Sequence, residues 1–283
     1  MLDSGLLEQA VLRNVQEALA EDIGSGDVSA GLFDPAQRAV ARVITRQAGV
    51  FCGRHWVEQT VLEVGRRTQQ VVEVDWHTDD RNAIGAGDTL FELHGAAADL
   101  LTAERTMLNF VQLLSGTASK TARYVALLRN TRTTLLDTRK TLPGLRMAQK
   151  YAVLCGGAQN HRIGLFDAFL LKENHIAAAG SIGAAVAKAR DLRPELTLEV
   201  ETENLIELQQ AIDAGADIAM IDNFSLEDTR TAVAMAAGRI KLEASGGIDE
   251  SSIVAIAAEG VDYISVGELT KNVDPLDLSM RFV

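Results

Sequence analysis

The feature that most constrains the fold is a rhythm in the second half of the chain. Short apolar runs occupy residues 134–136, 169–171, 196–200, 218–221, 240–242 and 263–266, with starts 35, 27, 22, 22 and 23 residues apart. Between them lie amphipathic stretches at helical spacing, at 144–154, 182–190, 204–214, 226–237 and 252–258. Strand and helix alternating at this pitch predict βαβ units and a parallel sheet. The runs are nearly continuous in apolar residues, as expected of strands covered on both faces. At least six such strands favour a barrel over an open sheet. No G-x-G-x-x-G follows the first run, which lowers the expectation of a dinucleotide-binding fold.

The first hundred residues read differently. Leu7, Ala10, Val11, Val15, Ala18 and Leu19 predict a helix over 6–20, ended by Asp22-Ile23-Gly24-Ser25-Gly26-Asp27. Val-rich stretches at 39–45, 70–76 and 89–93 predict strands, with Gly85-Ala86-Gly87-Asp88 as a turn before the third. This segment is expected to be a small α+β domain. From Thr102 the period changes, and 104–129 predicts one long helix, loosened at Ser115-Gly116-Thr117, with Thr102 and Glu104 suited to its N-terminus.

Charge narrows the class of ligand. The chain has 27 Lys and Arg against 39 Asp and Glu, a formal net charge of −12, which argues against nucleic-acid and anionic-membrane partners. Yet residues 129–175 hold eight cations against three carboxylates, a local +5 inside an acidic protein. Such an island suggests a site for small anions or a chance cluster on a solvated face. No apolar stretch approaches a membrane span, and the acidic first thirty residues argue against a signal peptide. Two cysteines, Cys52 and Cys155, cannot form a disulfide framework, so a reducing cytoplasm is expected; neither has zinc-ligand spacing.

In a parallel barrel the active site forms at the carboxyl ends of the strands. In chain order, the runs end in Asp137-Thr138-Arg139-Lys140, Lys172-Glu173-Asn174-His175, Glu201, Asp222-Asn223, Glu243-Ala244-Ser245-Gly246-Gly247 and Gly267-Glu268. One polar strand end is ordinary, but six in register point to a site. Ser245-Gly246-Gly247 and Val266-Gly267 follow the last two strands, where glycines let backbone N–H groups approach a phosphate. Asn160-His161-Arg162, with Arg139, Lys140 and Lys172, adds cations that match carboxylates or phosphates. A lone histidine is usually a core or surface residue; the neighbouring arginine makes His161 a site candidate. Glu201 and Asp222 suit a water-rich Mg²⁺ site, hydrogen bonds to sugar hydroxyls, or charge balance against the lysines. These residues describe a barrel enzyme whose substrates carry phosphate and carboxylate, with Mg²⁺ expected.

The segment Asp137-Thr138-Arg139-Lys140-Thr141-Leu142-Pro143-Gly144-Leu145-Arg146 resembles the signature of quinolinate phosphoribosyltransferases. Asn160-His161-Arg162-Ile163-Gly164-Leu165, Leu171-Lys172-Glu173-Asn174-His175, Glu199-Val200-Glu201, Ile221-Asp222-Asn223, Glu243-Ala244-Ser245-Gly246-Gly247 and Ile264-Ser265-Val266-Gly267 fit the family in the same order. Glu21-Asp22-Ile23-Gly24-Ser25-Gly26-Asp27 also resembles it. The resemblance implies an α/β protein: an incomplete parallel, TIM-like barrel of six to seven strands with an N-terminal α+β open sandwich. The expected division is 1–104, 105–270, and a tail at 271–283 returning to the N-terminal domain.

The resemblance further implies transfer of phosphoribosyl from phosphoribosyl pyrophosphate to quinolinate with loss of CO2, Mg²⁺ as cofactor, and a homodimer or higher assembly with shared active sites. Arg105 would reach the neighbour's quinolinate. Arg139, His161, Arg162 and Lys172 would hold its carboxylates, and Lys140 would meet the pyrophosphate. Glu201 and Asp222 would hold ribose hydroxyls and Mg²⁺. Ser245, Gly246 and Gly247, with Val266, Gly267 and Glu268, would take the 5′-phosphate, and Thr138 completes the substrate-binding set. Lys140, Glu201 and Asp222 would be the catalytic residues. The sequence departs from the family pattern at Ala158, Ser29 and Lys271-Asn272. Two alternatives stay open: a repurposed paralogue, and an aldolase using Lys172 or Lys140 as a Schiff base.

Overall fold

The computed structural model describes residues 3–34 and 36–283. In chain order the elements are α1 (Ser4–Ile23), β1 (Arg38–Thr45), β2 (Gly49–Val50), α2 (Arg54–Thr68), β3 (Glu73–Trp76), β4 (Ala83–Ile84), β5 (Thr89–Ala96) and α3 (Ala97–Leu127). There follow β6 (Thr134–Leu136), α4 (Arg146–Cys155), β7 (Phe169–Leu171), α5 (Glu173–Ala179), α6 (Ile182–Leu192), β8 (Leu198–Thr202), α7 (Leu205–Ala214) and β9 (Ile218–Asp222). The chain ends with α8 (Leu226–Ala236), β10 (Lys241–Ser245), α9 (Ile253–Ala258), β11 (Tyr263–Ser265), α10 (Glu268–Lys271) and β12 (Leu278–Phe282). Two compact units result: one made of the chain up to Ala122, Thr141–Gly157 and Thr270–Val283, the other of Arg123–Lys140 and Ala158–Leu269. Neither is one continuous segment, and α3 runs through the expected division at 104/105 without a break.

The first unit carries an antiparallel sheet in the order β12-β1-β5-β3 and a small β2-β4 pair. Alternate residues of β1 (Ala41, Val43, Thr45) are fully buried, as one face of an antiparallel sheet over a core requires. Trp76 packs on Phe91 at a centroid distance of 4.8 Å, and Phe51 meets Trp76 at 5.9 Å. The helix α2 was not foreseen. Val57, Val61 and Val64 face the core at helical spacing, but β-branched residues imitate a strand when read locally. The final strand pairs with β1 from Ala41↔Phe282 to Thr45↔Leu278, a contact no local pattern encodes. Cys52 and Cys155 meet in this unit as free thiols beside Asp80. Burial pushes the Cys52 thiol pKa well up. Asp80 caps the start of α2 through Gly53 N–H (2.8 Å) and Arg54 N–H (3.2 Å), and accepts Tyr151 O–H.

Helix α3 also corrects two expectations. It starts at Ala97 rather than near Thr102, whose hydroxyl instead donates to Asp27 at 2.8 Å. Nor is it loosened at Ser115-Gly116-Thr117. Ser115 Oγ pairs with both backbone groups of Cys52, and Gly116 is where the returning tail crosses: a Cβ there would lie 2.1 Å from the Asp274 carbonyl oxygen. Alanine would favour the helix by about 1 kcal/mol, but a clash between two backbones cannot be relieved by a rotamer and costs about 1–3 kcal/mol. Gly116→Ala is therefore expected to lower the Tm. A Tm at or above the parent's in a thermal scan would show that the tail yields freely.

The second unit is the parallel sheet. Its strands run in the order β6-β11-β10-β9-β8-β7, which is chain order around an incomplete barrel with β6 displaced to the far edge. Ser181, Asn204 and Ser225 cap α6, α7 and α8 through their side chains, within two residues of the expected starts. The free edge of β6 is covered at one point by Gln159, whose N–H donates to Leu135 O (3.0 Å) and whose carbonyl accepts Asp137 N–H (3.2 Å). At the amino ends of the strands, Asp217 and Asp262 accept the N–H groups of Leu198 and Leu242 and pair with Arg190 and Lys241. Those charges stabilise the sheet at the end opposite the expected site. No helix among the described residues is long and apolar enough to cross a membrane.

Candidate active site

A pocket of about 260 Å³ opens at the carboxyl ends of the strands in the second unit. Thr138, Arg139 and Lys140 enter it after β6, Lys172 after β7, Glu201 from β8, Asp222 from β9 and Ser245 from β10. His161 and Arg162 enter from the segment beside β6. Nine of the expected site residues thus converge on one cavity. The reason is strand geometry: residues two apart share a face, so Met220 lies level with Glu201 and Glu243 on neighbouring strands, and Asp222 level with Ser245.

Two of the cations lie side by side. Arg139 Nε is buried without a hydrogen-bond partner among the described residues. Burial and the adjacent Arg139 charge push the Arg162 pKa down. Two guanidinium groups held together in this way call for a bound anion. Lys172 donates its ammonium to Glu201.

The remaining expected residues, Arg105, Gly246, Gly247, Val266, Gly267 and Glu268, are not among those lining this cavity. Gly267 neighbours Lys140 and Thr138; a Cβ there would be 3.0 Å from Lys140 Cδ. Gly246 has φ +98°, and a Cβ would fall 2.3 Å from Asn223 Oδ1, so only glycine fits. Val266 is buried and donates its N–H to Leu136 O (3.0 Å), so its side chain is core. Glu268 accepts the Tyr124 hydroxyl. Arg105 is exposed on α3 in the first unit and does not line the pocket.

Other residues of the site escaped sequence reading. Asp137, wholly buried at the end of β6, accepts Asn160 Nδ2 at 2.7 Å and His161 N–H at 2.9 Å. It thereby ties down the segment that carries His161 and Arg162. Asp167 shapes the following turn by accepting Ile163 N–H (2.7 Å) and Gly164 N–H (2.9 Å). Glu199 and Glu243 lie deeper, 2.8 and 3.4 Å from His161 Nε2, and Ser265 Oγ is buried without a partner. Burial lowers the His161 pKa and the two glutamates raise it, while the Arg162 N–H aimed at Nδ1 (2.8 Å) disfavours a second proton on the ring. Burial raises Glu199 to about 7; its hydrogen bond with His161 opposes the rise and the Glu243 charge adds to it. A usable signal existed, because a charged residue inside an otherwise apolar, doubly covered strand is costly without a purpose.

The Mg²⁺ expectation can be examined against the donors present. Glu201, which carries Lys172, and Asp222 offer hard carboxylate oxygens on adjacent strands, and one Asp222 oxygen accepts the Asn223 amide (2.8 Å). Two carboxylates fit Mg²⁺ that arrives with substrate phosphates and water, rather than an all-protein cage.

Comparison with known proteins agrees with this architecture. Residues 27–115 match the model of the quinolinate phosphoribosyl transferase N-terminal domain, and residues 117–281 that of the C-terminal domain. The chain is 41% identical over 261 residues to a Bacillus subtilis protein named "Probable nicotinate-nucleotide pyrophosphorylase (carboxylating)", covering 92% of this chain and 89% of that one. It is 38% identical to the carboxylating nicotinate-nucleotide pyrophosphorylase of Mycobacterium leprae, covering 94% and 95%. The solved structure of the nicotinate-nucleotide pyrophosphorylase from Francisella tularensis superposes with a TM-score of 0.94 at 49% identity, covering 98% and 97%.

Proposed function

The chain belongs to the quinolinate phosphoribosyl transferase family, and from that premise we propose that it joins quinolinate to phosphoribosyl pyrophosphate, releasing CO2 and pyrophosphate and leaving nicotinate mononucleotide. The observation that carries this reading is one pocket lined by the adjacent guanidiniums of Arg139 and Arg162 together with Lys172, Glu201 and Asp222, Lys172 lying on Glu201. A dicarboxylate suits the first group and a ribose the second.

The chemistry asks little of the protein beyond placement and charge. The ring nitrogen attacks the anomeric carbon as pyrophosphate departs, so two anions must be held at reacting distance. Arg139, Arg162 and Lys172 take the carboxylates of quinolinate, with His161 at their base. Lys140 faces the departing pyrophosphate, and Glu201 and Asp222 stabilise the positive charge that grows on the ribose. Thr138 and the glycine loops at 245–247 and 266–268 take the 5′-phosphate. Mg²⁺ held near Glu201 and Asp222 would neutralise charge on the pyrophosphate. Once the ring nitrogen is quaternary, the bond to the adjacent carboxylate breaks, its electron pair is stabilised by that nitrogen, and the carbon takes a proton. Cytoplasmic location belongs to the same reading, supported by two free thiols.

The test is direct. Purified protein with quinolinate, phosphoribosyl pyrophosphate and Mg²⁺ should yield nicotinate mononucleotide and CO2 in equal amounts, and a chelator should stop turnover until Mg²⁺ is restored. Nicotinate, which has one carboxylate, should react poorly; equal turnover of nicotinate would overturn the substrate assignment. The assembly is a homodimer or larger in this proposal, with Arg105 supplied to a neighbour's site. Mixing inactive Arg105→Ala and Lys172→Ala proteins under subunit exchange should restore activity at the minority of sites that receive both intact residues. No recovery in a mixture with verified exchange would sink the shared site.

A further inference from the structure

His161 entered as a direct ligand of quinolinate, but its hydrogen bonds point elsewhere. Nδ1 accepts the N–H of Arg162 at 2.8 Å. An N–H aimed at that nitrogen requires its lone pair, so the ring proton sits on Nε2. Nε2 faces Glu199 Oε2 at 2.8 Å and Glu243 Oε2 at 3.4 Å. The donor atoms of His161, Glu199 and Glu243 lie within 4.8 Å of one another, a spacing that would also suit a metal ion. A metal would need the bare Nε2 lone pair, which this tautomer does not offer. Glu199 therefore accepts the Nε2 proton, while Glu243, whose oxygens make no hydrogen bond among the described residues, stands 3.4 Å away as a second carboxylate facing it.

Both glutamates are buried, Glu243 at 0% exposure and Glu199 at 3%. Charged groups in that position are costly unless they fix something. We propose that Glu199 and Glu243 are positioning residues: they hold His161 in one tautomer and orientation, and His161 in turn sets the backbone that presents Arg162 to the substrate's carboxylate. This deepens the functional reading above and rests on it for the identity of the ligand. The ring spans from the segment beside β6 to strands β8 and β10, so it acts as a strut across the barrel interior.

The proposal is tested with ¹⁵N-histidine-labelled full-length protein, in which comparison with His161→Asn identifies His161 among five histidines. Ligand-free parent protein should show Nε2 protonated and Nδ1 bare. The Glu199→Leu/Glu243→Leu protein should lose that single tautomer, and its KM for quinolinate should rise about tenfold or more, with KM for phosphoribosyl pyrophosphate within about twofold. Glu199→Gln/Glu243→Gln retains acceptor oxygens and should restore the tautomer and most of the quinolinate affinity. A protonated Nδ1 in the parent would overturn the proposal, as would an unchanged quinolinate KM in the leucine protein. The parent spectrum, assigned with His161→Asn, needs no glutamate variant and no substrate, so it judges the strut even if the leucine protein fails to fold. Failure of the parent to consume quinolinate would instead count against the function and leave the tautomer result standing.

Discussion

Arg139→Ala is expected to lower kcat/KM for quinolinate by about 10²–10³-fold and Lys172→Ala by about 10–10²-fold, with little change in Tm. A charge-assisted hydrogen bond to a carboxylate contributes about 1.5–3 kcal/mol, and a bidentate guanidinium pair more, which converts to that loss of rate. The fold should survive for different reasons in the two cases. Arg139 has a buried Nε with no partner to abandon. The Lys172 side chain is 42% exposed, so its pair with Glu201 is weakened by solvent and adds little stability. Arg139→Lys should recover little, because an ammonium cannot replace a planar fork. Steady-state kinetics with both substrates varied, beside thermal scans, check this. More than a tenth of parental activity in both alanine variants would remove the pocket from the reaction.

The second large effect is expected at Asp137→Ala. The wholly buried carboxylate accepts Asn160 Nδ2 and His161 N–H. Removing it takes the acceptor from two donors, each costing about 1–3 kcal/mol, so a total of roughly 2–6 kcal/mol is expected, seen as a lower Tm. Activity should fall as well, since the same bonds hold the segment that presents His161 and Arg162. Asp137→Asn should lie between, because an amide keeps one acceptor but sets an NH2 against the other donor. A Tm and a kcat/KM both close to parental for Asp137→Ala would mean that the segment is held by other contacts.

These two cases mark where sequence reading reached and where it stopped. Arg139 and Lys172 were legible because they follow apolar runs at a pitch that only βαβ units produce, and strands β6 and β7 fall on the expected residues. Asp137 stood in the same motif, yet nothing local distinguishes a residue that binds substrate from one that binds the backbone of residue 161. Glu199 and Glu243 were likewise visible as charges within apolar strands, but their meeting at His161 depends on strands that are not adjacent. In the first unit, α2 was not read from the sequence, and the return of the tail to β1 was implied by the family resemblance while its strand β12 and its register were not legible locally.

By itself, then, the sequence determined the alternation of elements, the end of the sheet where chemistry gathers, and the sign of the charge there. Those follow from side-chain periodicity and from the rule that successive parallel strands expose the same end. Only the tertiary structure decided that an incomplete barrel turns Glu199, Glu243 and His161 toward one interior point, and that Gly116 marks a crossing of the chain tail. The reason is physical: periodicity is a property of neighbours along the chain, whereas the partners of a buried polar group are set by packing between segments far apart in it.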